Sequence, residues 1–346
     1  MNKKYVLPII FLIIFPLIFS SMGIPGNSQS EQFLKGRENL DLGNFDEAIR
    51  CLKKAIEIDP NAFDAYYYLG LAYARRGDFH EASIYFSKAI DINPKYIEAY
   101  RRRGEVQIAL VNYKGAIENF DQVIKLDPKN PTSYLSRCTA KFLDRNYNQA
   151  IEDCSKSIEL NPDLVVLHLA YLQRGAAYAQ LDDYDQAMKD YNKVLEILPD
   201  FAEAFVARGE LFRKLGNYVQ SLKDFNKAVE LAPKDAGAYN AIAWFLATCT
   251  DSKYRDGKKA VQYAEKAVLL SGDIKRNVNT KAAIYNTLAA SYAEAGDFNQ
   301  AVLMESKALD LYKPANAGDK TKDRYKKLIE AYRNKQTYIQ WENNMK

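Results

Sequence analysis

The residue types that most often carry out chemistry are few in this chain, and their spacing does not group them. The two histidines are His80 and His168, and His80 lacks the second histidine four positions later that a zinc-protease helix would need. Gly257-Lys258 lacks both the earlier glycine and the following serine or threonine of a phosphate-binding loop. We therefore predict that both histidines lie at the surface or cap a helix. No catalytic, cofactor-binding or metal-binding residue is predicted, and the chain is not expected to be an enzyme.

Cysteine spacing gives no stronger signal for a metal or redox site. The chain has 4 cysteines, and none of them forms a C-x-x-C pair. They are Cys51, Cys138, Cys154 and Cys249.

Charge also excludes a class of partner. The chain has 48 Lys and Arg against 44 Asp and Glu, a net charge of +4, and Lys3 and Lys4 supply part of that excess. Binding of nucleic acid depends on clustered basic residues that neutralise phosphates. With the two signs interspersed along the chain, no nucleic-acid partner is expected.

The first 23 residues differ from the rest. A basic MNKK start precedes an apolar run from Tyr5 to Phe19, and small residues follow up to Gly23. This layout is typical of a secretory signal that is cleaved after Gly23. An uncleaved signal anchor is the alternative, because the run extended to Ile24 approaches the roughly 20 residues of a membrane span. Both place the body outside the cytoplasm, in the periplasm or on the outer side of the membrane, and membrane contact is expected only through this segment if it is uncleaved. Residues 24–28 are read as a linker.

The rest of the chain repeats one unit. The motif AIEIDP at residues 55–60 returns in variant form, and its prolines are spaced by 34, 34, 34, 37 and 34 residues. A constant period in this range indicates stacked units. Between the prolines, apolar residues follow two helical patterns, as at Tyr66, Leu69 and Tyr73 and then at Ala82 and Phe86. Each unit is therefore predicted to be a pair of helices.

The turn inside each pair recurs as well, as in Gly43-Asn44-Phe45 and Gly77-Asp78-Phe79. Glycine tolerates the left-handed conformation that ends the first helix, and Asn or Asp caps the second. Asn112-Tyr113 and Asn146-Tyr147 keep the cap without the glycine. The terminal proline then stops the second helix.

This pattern resembles the tetratricopeptide repeat, W-x2-L-G-x2-Y, then A-x3-F, then P. In the second unit the matching residues are Tyr66, Leu69, Gly70, Tyr73, Ala82, Phe86 and Pro94. The resemblance implies an all-α fold, a right-handed α-solenoid of about eight repeats with a C-terminal capping helix. The repeats are placed near residues 29–62, 63–96, 97–130, 131–164, 168–201, 202–235, 236–275 and 282–315, and the capping helix and tail at 319–346.

Two consequences of the repeat register concern side chains that face each other. Cys138 and Cys154 replace the glycine and the phenylalanine of one helix pair, so they either form a disulfide or are small buried residues.

Charged residues also recur in register. Repeat position 7 holds Arg103, Arg137, Arg174 and Arg208, while position 23 holds Asp153, Asp190 and Asp224. This recurrence predicts ion pairs within or between repeats.

The resemblance also implies a ligand site. First helices of this family line the concave side, where positions 2, 5, 9 and 12 usually contact a protein or peptide partner. The candidate groove residues are Phe33, Arg37, Tyr67, Leu71, Arg101, Glu105, Ile108, Leu135, Thr139 and Phe142. In later repeats the same positions hold Glu203, Glu210, Arg213, Asn240 and Trp244.

The expected function is a non-enzymatic scaffold or adaptor of the cell envelope that binds a peptide or protein segment. The alternative is a self-assembling or complex-organising structural envelope protein, and an enzyme subunit is a remote third. Some relatives hold a peptide carboxylate with Lys and Asn residues, but Phe33, Arg37 and Tyr68 stand in three of these places and only Arg102 fits. That mode of binding is not predicted.

Overall fold

The computed structural model describes residues 31–160, 162–272, 278–312 and 320–345. All regular secondary structure in these residues is helical, which confirms the all-α prediction. The chain divides into two compact units, and the boundary lies between Leu181 and Asp182.

The first unit contains nine of the helices found in the described residues. They are α1 (Glu31–Asp41), α2 (Phe45–Ile58), α3 (Phe63–Arg76), α4 (Phe79–Ile92), α5 (Ile97–Ala109), α6 (Tyr113–Leu126), α7 (Pro131–Leu143), α8 (Tyr147–Glu159) and α9 (Leu164–Gln180).

The second unit contains the other helices of the described residues, together with a short 3-10 helix at Ser252–Tyr254. They are α10 (Tyr184–Ile197), α11 (Ala202–Lys214), α12 (Tyr218–Leu231), α13 (Ala236–Thr248), α14 (Gly257–Ser271), α15 (Val278–Glu294), α16 (Phe298–Leu311), α17 (Thr321–Arg333) and α18 (Tyr338–Asn344).

Within each unit, every helix packs against the next one along the chain. Alternate helices also contact one another along one side, namely α1 with α3, α3 with α5 and α7 with α9 in the first unit, and α11 with α13 and α13 with α15 in the second. These are the first helices of their repeats, so they line one side of each unit. We call it the first-helix face.

Helix ends follow the predicted signals. The helices α2, α4 and α6 end two residues before their prolines, and the intervening residues Asp59, Asn93 and Asp127 have extended backbones. Gly77 ends α3 with a φ of 101°. Val111 and Arg145 occupy the same turn position in their repeats and have φ values of 62° and 65°. The left-handed turn is therefore kept where the glycine is lost.

The predicted capping of second helices is only partly correct. Asn112 and Asn217 each accept a hydrogen bond from a backbone N–H of the first turn. The side chains of Asn44, Asp78 and Asn146 make no such bond. They bond instead to neighbouring side chains, as Asp78 does to Arg76. A charged or amide partner close in sequence competes with the helix N-terminus for the same oxygen or holds the side chain away from it.

The close approach within a helix pair explains the cysteine pair. At Gly70, an added Cβ would lie 2.8 Å from the Phe86 ring, so the repeat needs one small and one large side chain there. Cys138 and Cys154 occupy these two places in the fourth repeat, with Cα atoms 5.6 Å apart, and they form a disulfide. Of the two predicted alternatives, the structure shows the disulfide. Cys51 and Cys249 are buried free thiols.

Among the arginines at repeat position 7, Arg137 and Arg208 form the predicted ion pairs, whereas Arg103 donates hydrogen bonds to the neutral side chains of Asn119 and Ser87. Arg137 donates two hydrogen bonds to Asp153 in its own repeat and one, of 2.7 Å, to Asp121 in the preceding repeat. Arg208 does the same with Asp224 and Asn192. Each of these arginines therefore joins the second helices of two successive repeats.

The predicted signal peptide or anchor and its linker lie outside the described residues. No helix in the part of the chain that the structure describes combines the length and the apolar character of a membrane span.

Candidate peptide-binding groove

All ten candidate groove residues lie on α1, α3, α5 and α7, which belong to the first unit. Seven of them are between 3% and 8% exposed, and they form the floor of the first-helix face. These seven are Phe33, Tyr67, Leu71, Ile108, Leu135, Thr139 and Phe142. The other three, Arg37, Arg101 and Glu105, are half-buried and reach the surface.

An aromatic group occupies the α1 and α3 end of this face. The Phe33 and Tyr68 rings meet edge to face at 5.4 Å, and Tyr67 meets Tyr68 in the same way at 5.3 Å. The Arg37 guanidinium lies over the Tyr68 ring, 4.8 Å from its centre. Tyr67 also contacts the Tyr96 ring at 5.0 Å. Edge-to-face and cation–π contacts of this kind fix the rings without hydrogen bonds.

A charged group follows on α5. Arg102 donates a 2.8 Å hydrogen bond to one oxygen of Glu105, and Arg101 donates a 3.4 Å bond to the other. Arg101 also pairs with Glu98. Glu105 therefore lies between two arginines, and its carboxylate occupies a place that a partner carboxylate could take.

Tyr67 links the two groups, because its ring contacts Tyr68 and because its hydroxyl and the Arg102 guanidinium influence each other's pKa. Burial lowers the pKa of the Arg102 guanidinium, but Glu105 and Tyr67 raise it more, so its pKa lies above the usual range. Burial raises the pKa of the Tyr67 hydroxyl, and Arg102 partly offsets this. Arg102 thus stays charged and Tyr67 neutral at any physiological pH. We call the connected, partly exposed residues Arg37, Tyr68, Arg101, Arg102 and Glu105 the aromatic–arginine strip.

The candidates on α7 contribute less surface. The Thr139 hydroxyl donates a 3.0 Å bond to the Leu135 carbonyl, and the Phe142 ring packs at 5.4 Å against Tyr147 of its own helix pair. Their polar and aromatic groups are therefore satisfied inside the repeat. Any contact with a partner would use their edges alone.

Two members of the strip, Tyr68 and Arg102, were not among the candidates, and both stand at repeat position 6. The family pattern puts less weight on this position. A signal was present in the unbroken runs Tyr66-Tyr67-Tyr68 and Arg101-Arg102-Arg103, since such runs place one aromatic or one arginine on each side of a helix. Only contacts between α1, α3 and α5 show which member faces the groove.

The two histidines lie in different environments. His80 is exposed as expected, whereas His168 is buried, and its Nδ1 lies 2.7 Å from the Leu164 carbonyl oxygen. The surface prediction for His168 was therefore wrong, because α9 turns this side chain into the stack and one turn of helix supplies its partner. In the described ranges, no three His, Cys, Asp or Glu side chains come close enough to hold a metal ion.

Family comparisons match much of the body. Models of the tetratricopeptide repeat match residues 63–96, 97–130, 168–201 and 202–235, and a related TPR-repeat model matches residues 36–77. No curated protein sequence matches the chain.

Solved structures share the fold. A tetratricopeptide repeat protein from Parabacteroides merdae is 20% identical, with a TM-score of 0.64 over 75% of this chain and 97% of its own. The APC/C complex Cut9–Hcn1 is 14% identical, with a TM-score of 0.56 over 87% and 69%. YrrB, described as a TPR protein with an unusual peptide-binding site, is 22% identical, with a TM-score of 0.44 over 55% and 96%.

The first two of these structures show the fold and nothing beyond it. Tetratricopeptide stacks of this kind are typically interaction scaffolds without catalytic groups of their own. Together with the sequence matches, they establish that this chain carries tetratricopeptide repeats stacked in an all-helical fold.

Proposed function

We propose that the chain is a non-enzymatic scaffold of the cell envelope that binds a peptide or protein segment on the first-helix face of its first unit. The observation that carries this proposal is the aromatic–arginine strip. Its guanidinium groups, ring faces and carboxylate are fixed by one another, and each remains partly open to solvent. A site that is ordered before binding loses little side-chain entropy when the partner arrives.

The chemistry of the strip favours a segment with an apolar anchor and acidic groups. The Tyr68 ring offers an aromatic surface over the floor of Phe33 and Tyr67. A carboxylate of the partner would take hydrogen bonds from Arg101 or Arg102 in competition with Glu105. Arginine often donates two parallel hydrogen bonds to one carboxylate, and this is why arginine is common where interfaces recognise carboxylates.

We also propose that the chain lies outside the cytoplasm, and two features other than the strip support this location. The basic start and apolar run of the first 23 residues have the layout of an export signal. The Cys138–Cys154 disulfide agrees with this, since structural disulfides persist mainly in oxidising compartments. Fractionation of cells that produce the tagged chain, with the mature N-terminus sequenced, tests it. A chain that begins near Ile24 or remains in the membrane with Met1 supports export, whereas a soluble cytoplasmic chain with reduced cysteines contradicts it.

The binding proposal is tested with a matched pair of variants. Arg101 and Arg50 each pair with a glutamate three residues before them, but Arg101 is in the strip and Arg50 lies on the second helix α2. Proteins in contact with the tagged chain are crosslinked to it in cells and recovered with it. For Arg101→Ala, recovery of the most abundant crosslinked partner should fall at least about tenfold, which is the loss expected for a charged hydrogen bond. Arg50→Ala should recover as much partner as the natural chain.

Two outcomes would contradict the proposed site. Equal recovery from both variants would place the partner elsewhere. If the chain crosslinks mainly to other copies of itself, and if both variants keep these crosslinks, the alternative of a self-assembling envelope protein would be favoured.

A further inference from the structure

The first-helix face of the second unit is covered by the end of the chain itself. The short helix α18 contacts α13 and α15, which are both first helices. Its Tyr338 ring lies edge-on to Trp244 of α13, with the ring centres 4.9 Å apart. Trp244 and Arg213 stand at repeat positions 9 and 12, where the sequence predicts ligand contacts. Glu210 and, to a smaller degree, Tyr338 raise the pKa of the Arg213 guanidinium. Thus α18 lies where a partner would.

Two aromatic side chains on one face of α18 make most of its contacts. Tyr338, Ile339 and Trp341 are buried, whereas Gln340, Asn343 and Asn344 point to solvent. The Tyr338 and Trp341 rings lie 5.8 Å apart. The helix is therefore amphipathic and presents an aromatic pair at positions i and i+3 to the face.

The surface under α18 is matched to this pair. The Arg324 guanidinium of α17 lies 5.5 Å from the Tyr338 ring centre and 5.7 Å from that of Trp341, and it donates a hydrogen bond to the Tyr338 hydroxyl. Trp244 supplies the apolar wall on the other side. Arg324 contacts both aromatic rings and Trp244 contacts the Tyr338 ring, so this surface would select a peptide with an aromatic pair.

Local structure makes α18 a separable element. Its start is fixed within the segment by a capping box, in which Thr337 and Gln340 bond to each other's backbone. The link to α17 is a turn with Lys335 at a φ of 56°. A helix of 7 residues is too short to persist alone in water, so the face it lies on must stabilise it. The same segment supplied from another molecule can dock in the same way.

We propose that the face formed by α13, α15 and Arg324 is a second peptide-binding surface, which takes a helical segment of another protein with two aromatic residues three positions apart. The tail α18 is its ligand in cis and competes with that partner. Tethering gives such a tail an effective concentration of about a millimolar, so a tail that binds the face with a Kd of about 0.1 mM should weaken binding of the partner by roughly tenfold.

The test uses the full chain and a labelled peptide of residues 335–346, KQTYIQWENNMK. Fluorescence polarisation should show binding to the Tyr338→Ala/Trp341→Ala variant that is at least about tenfold tighter than binding to the natural chain. Adding Trp244→Ala to that variant should abolish it, and a peptide with alanine at both aromatic positions should not bind. A double variant that keeps its helical circular dichroism and does not bind the peptide would overturn the proposal.

A second measurement on the natural chain holds even if the double variant unfolds. Hydrogen exchange of the α18 amides should be at least about tenfold faster than that of Leu328 to Tyr332 in α17, because α18 opens by itself. Equal exchange rates would make α18 a fixed part of the cap and contradict the proposal. A concentration-dependent dimer that is lost in the double variant would assign the surface to a second copy of the chain, not to another protein.

Discussion

Val111 and Arg145 hold the turn position where other repeats have glycine. Both are left-handed, with φ values of 62° and 65°, and Val111 is also β-branched and partly exposed. A non-glycine residue in this conformation costs about 1–2 kcal/mol. Val111→Gly removes that cost and adds about 0.5–1 kcal/mol of backbone entropy to the unfolded chain.

We therefore expect Val111→Gly to stabilise the chain by up to about 1 kcal/mol and to raise Tm by about 1–3 °C. Its neighbour Leu110 has an ordinary φ of −82° and serves as the control. Leu110→Gly should lower Tm. If both glycine variants lower Tm, the turn at Val111 is not strained.

Glu305 is the residue whose charge should couple stability to pH. It is fully buried on α16, where Asn286 donates 2.9 Å hydrogen bonds to both carboxylate oxygens. Burial raises its pKa to about 8 from an ordinary 4.5, although Asn286 and the charge of Arg324 lower it. The folded pKa lies above the unfolded one, so the folded state favours the protonated acid and loses stability as pH rises from about 4.5 to 8.

We expect Glu305→Gln to remove that loss. Thermal unfolding of the natural chain should shift to lower temperature between pH 5 and pH 8, and the accompanying loss of unfolding free energy should be of order a few kcal/mol at most. The glutamine variant should show a flatter profile and exceed the natural chain near pH 8. Parallel profiles for the two proteins would show that Glu305 does not titrate in this range.

At the scale of helices, the arginines at repeat position 7 should matter most where, in the described part of the chain, no second cation pairs with the buried aspartate. Asp224 is 4% exposed and pairs with Arg208, whereas Asp153 pairs with both Arg137 and Lys141, the latter at 2.8 Å. Removing the partner of a buried charge costs more than the pair contributes. We expect Arg208→Ala to cost about 2–3 kcal/mol and Arg137→Ala about 1 kcal/mol.

Chemical denaturation of both alanine variants measures this difference. Adding Asp224→Asn to Arg208→Ala should recover part of the lost stability, because the unpaired charge is removed. An equal cost for the two arginines would mean that Lys141 does not compensate at Asp153.

The disulfide substitutes for the glycine–phenylalanine contact of other repeats, which gives it a matched control. It closes a loop with a sequence separation of 16 residues, for which about 3 kcal/mol is typical. Reduction with dithiothreitol should lower the Tm of the natural chain but should leave the Tm of Cys138→Gly/Cys154→Phe unchanged. This variant has no disulfide at these positions and restores the pair seen at Gly70 and Phe86. A Tm of the natural chain that does not respond to reductant would show that the disulfide contributes no stability.

Sequence alone predicted the helix pairs well, because their signals are local. The glycine turn, the proline stop and the apolar spacing each act within one or two turns of helix, as at Gly77 and Pro60. The groove was harder to predict. Position 6 residues such as Tyr68 face it only because of contacts made between α1, α3 and α5, and burial of Leu135 and Phe142 depends on the same packing. The cover that α18 places over Trp244 has no repeat signal at all.

At the scale of the whole molecule, the two units differ in whether their first-helix face is exposed. In the first unit the aromatic–arginine strip is partly open, and in the second unit the chain's own tail lies on the face. Strip variants should therefore leave binding of the tail peptide unchanged, and Trp244→Ala should leave the partner of the strip bound. Loss of both activities from either substitution would mean that the two faces bind one ligand.

The most direct test of the proposed function is site-specific photocrosslinking in cells that produce the full chain. A photoreactive aromatic amino acid in place of the partly exposed Tyr68, which keeps a ring at this position, should capture one dominant partner protein, and the same amino acid in place of Arg50, exposed on α2, should capture little. Equal capture from the two positions, or capture from Arg50 alone, would contradict a binding site on the first-helix face.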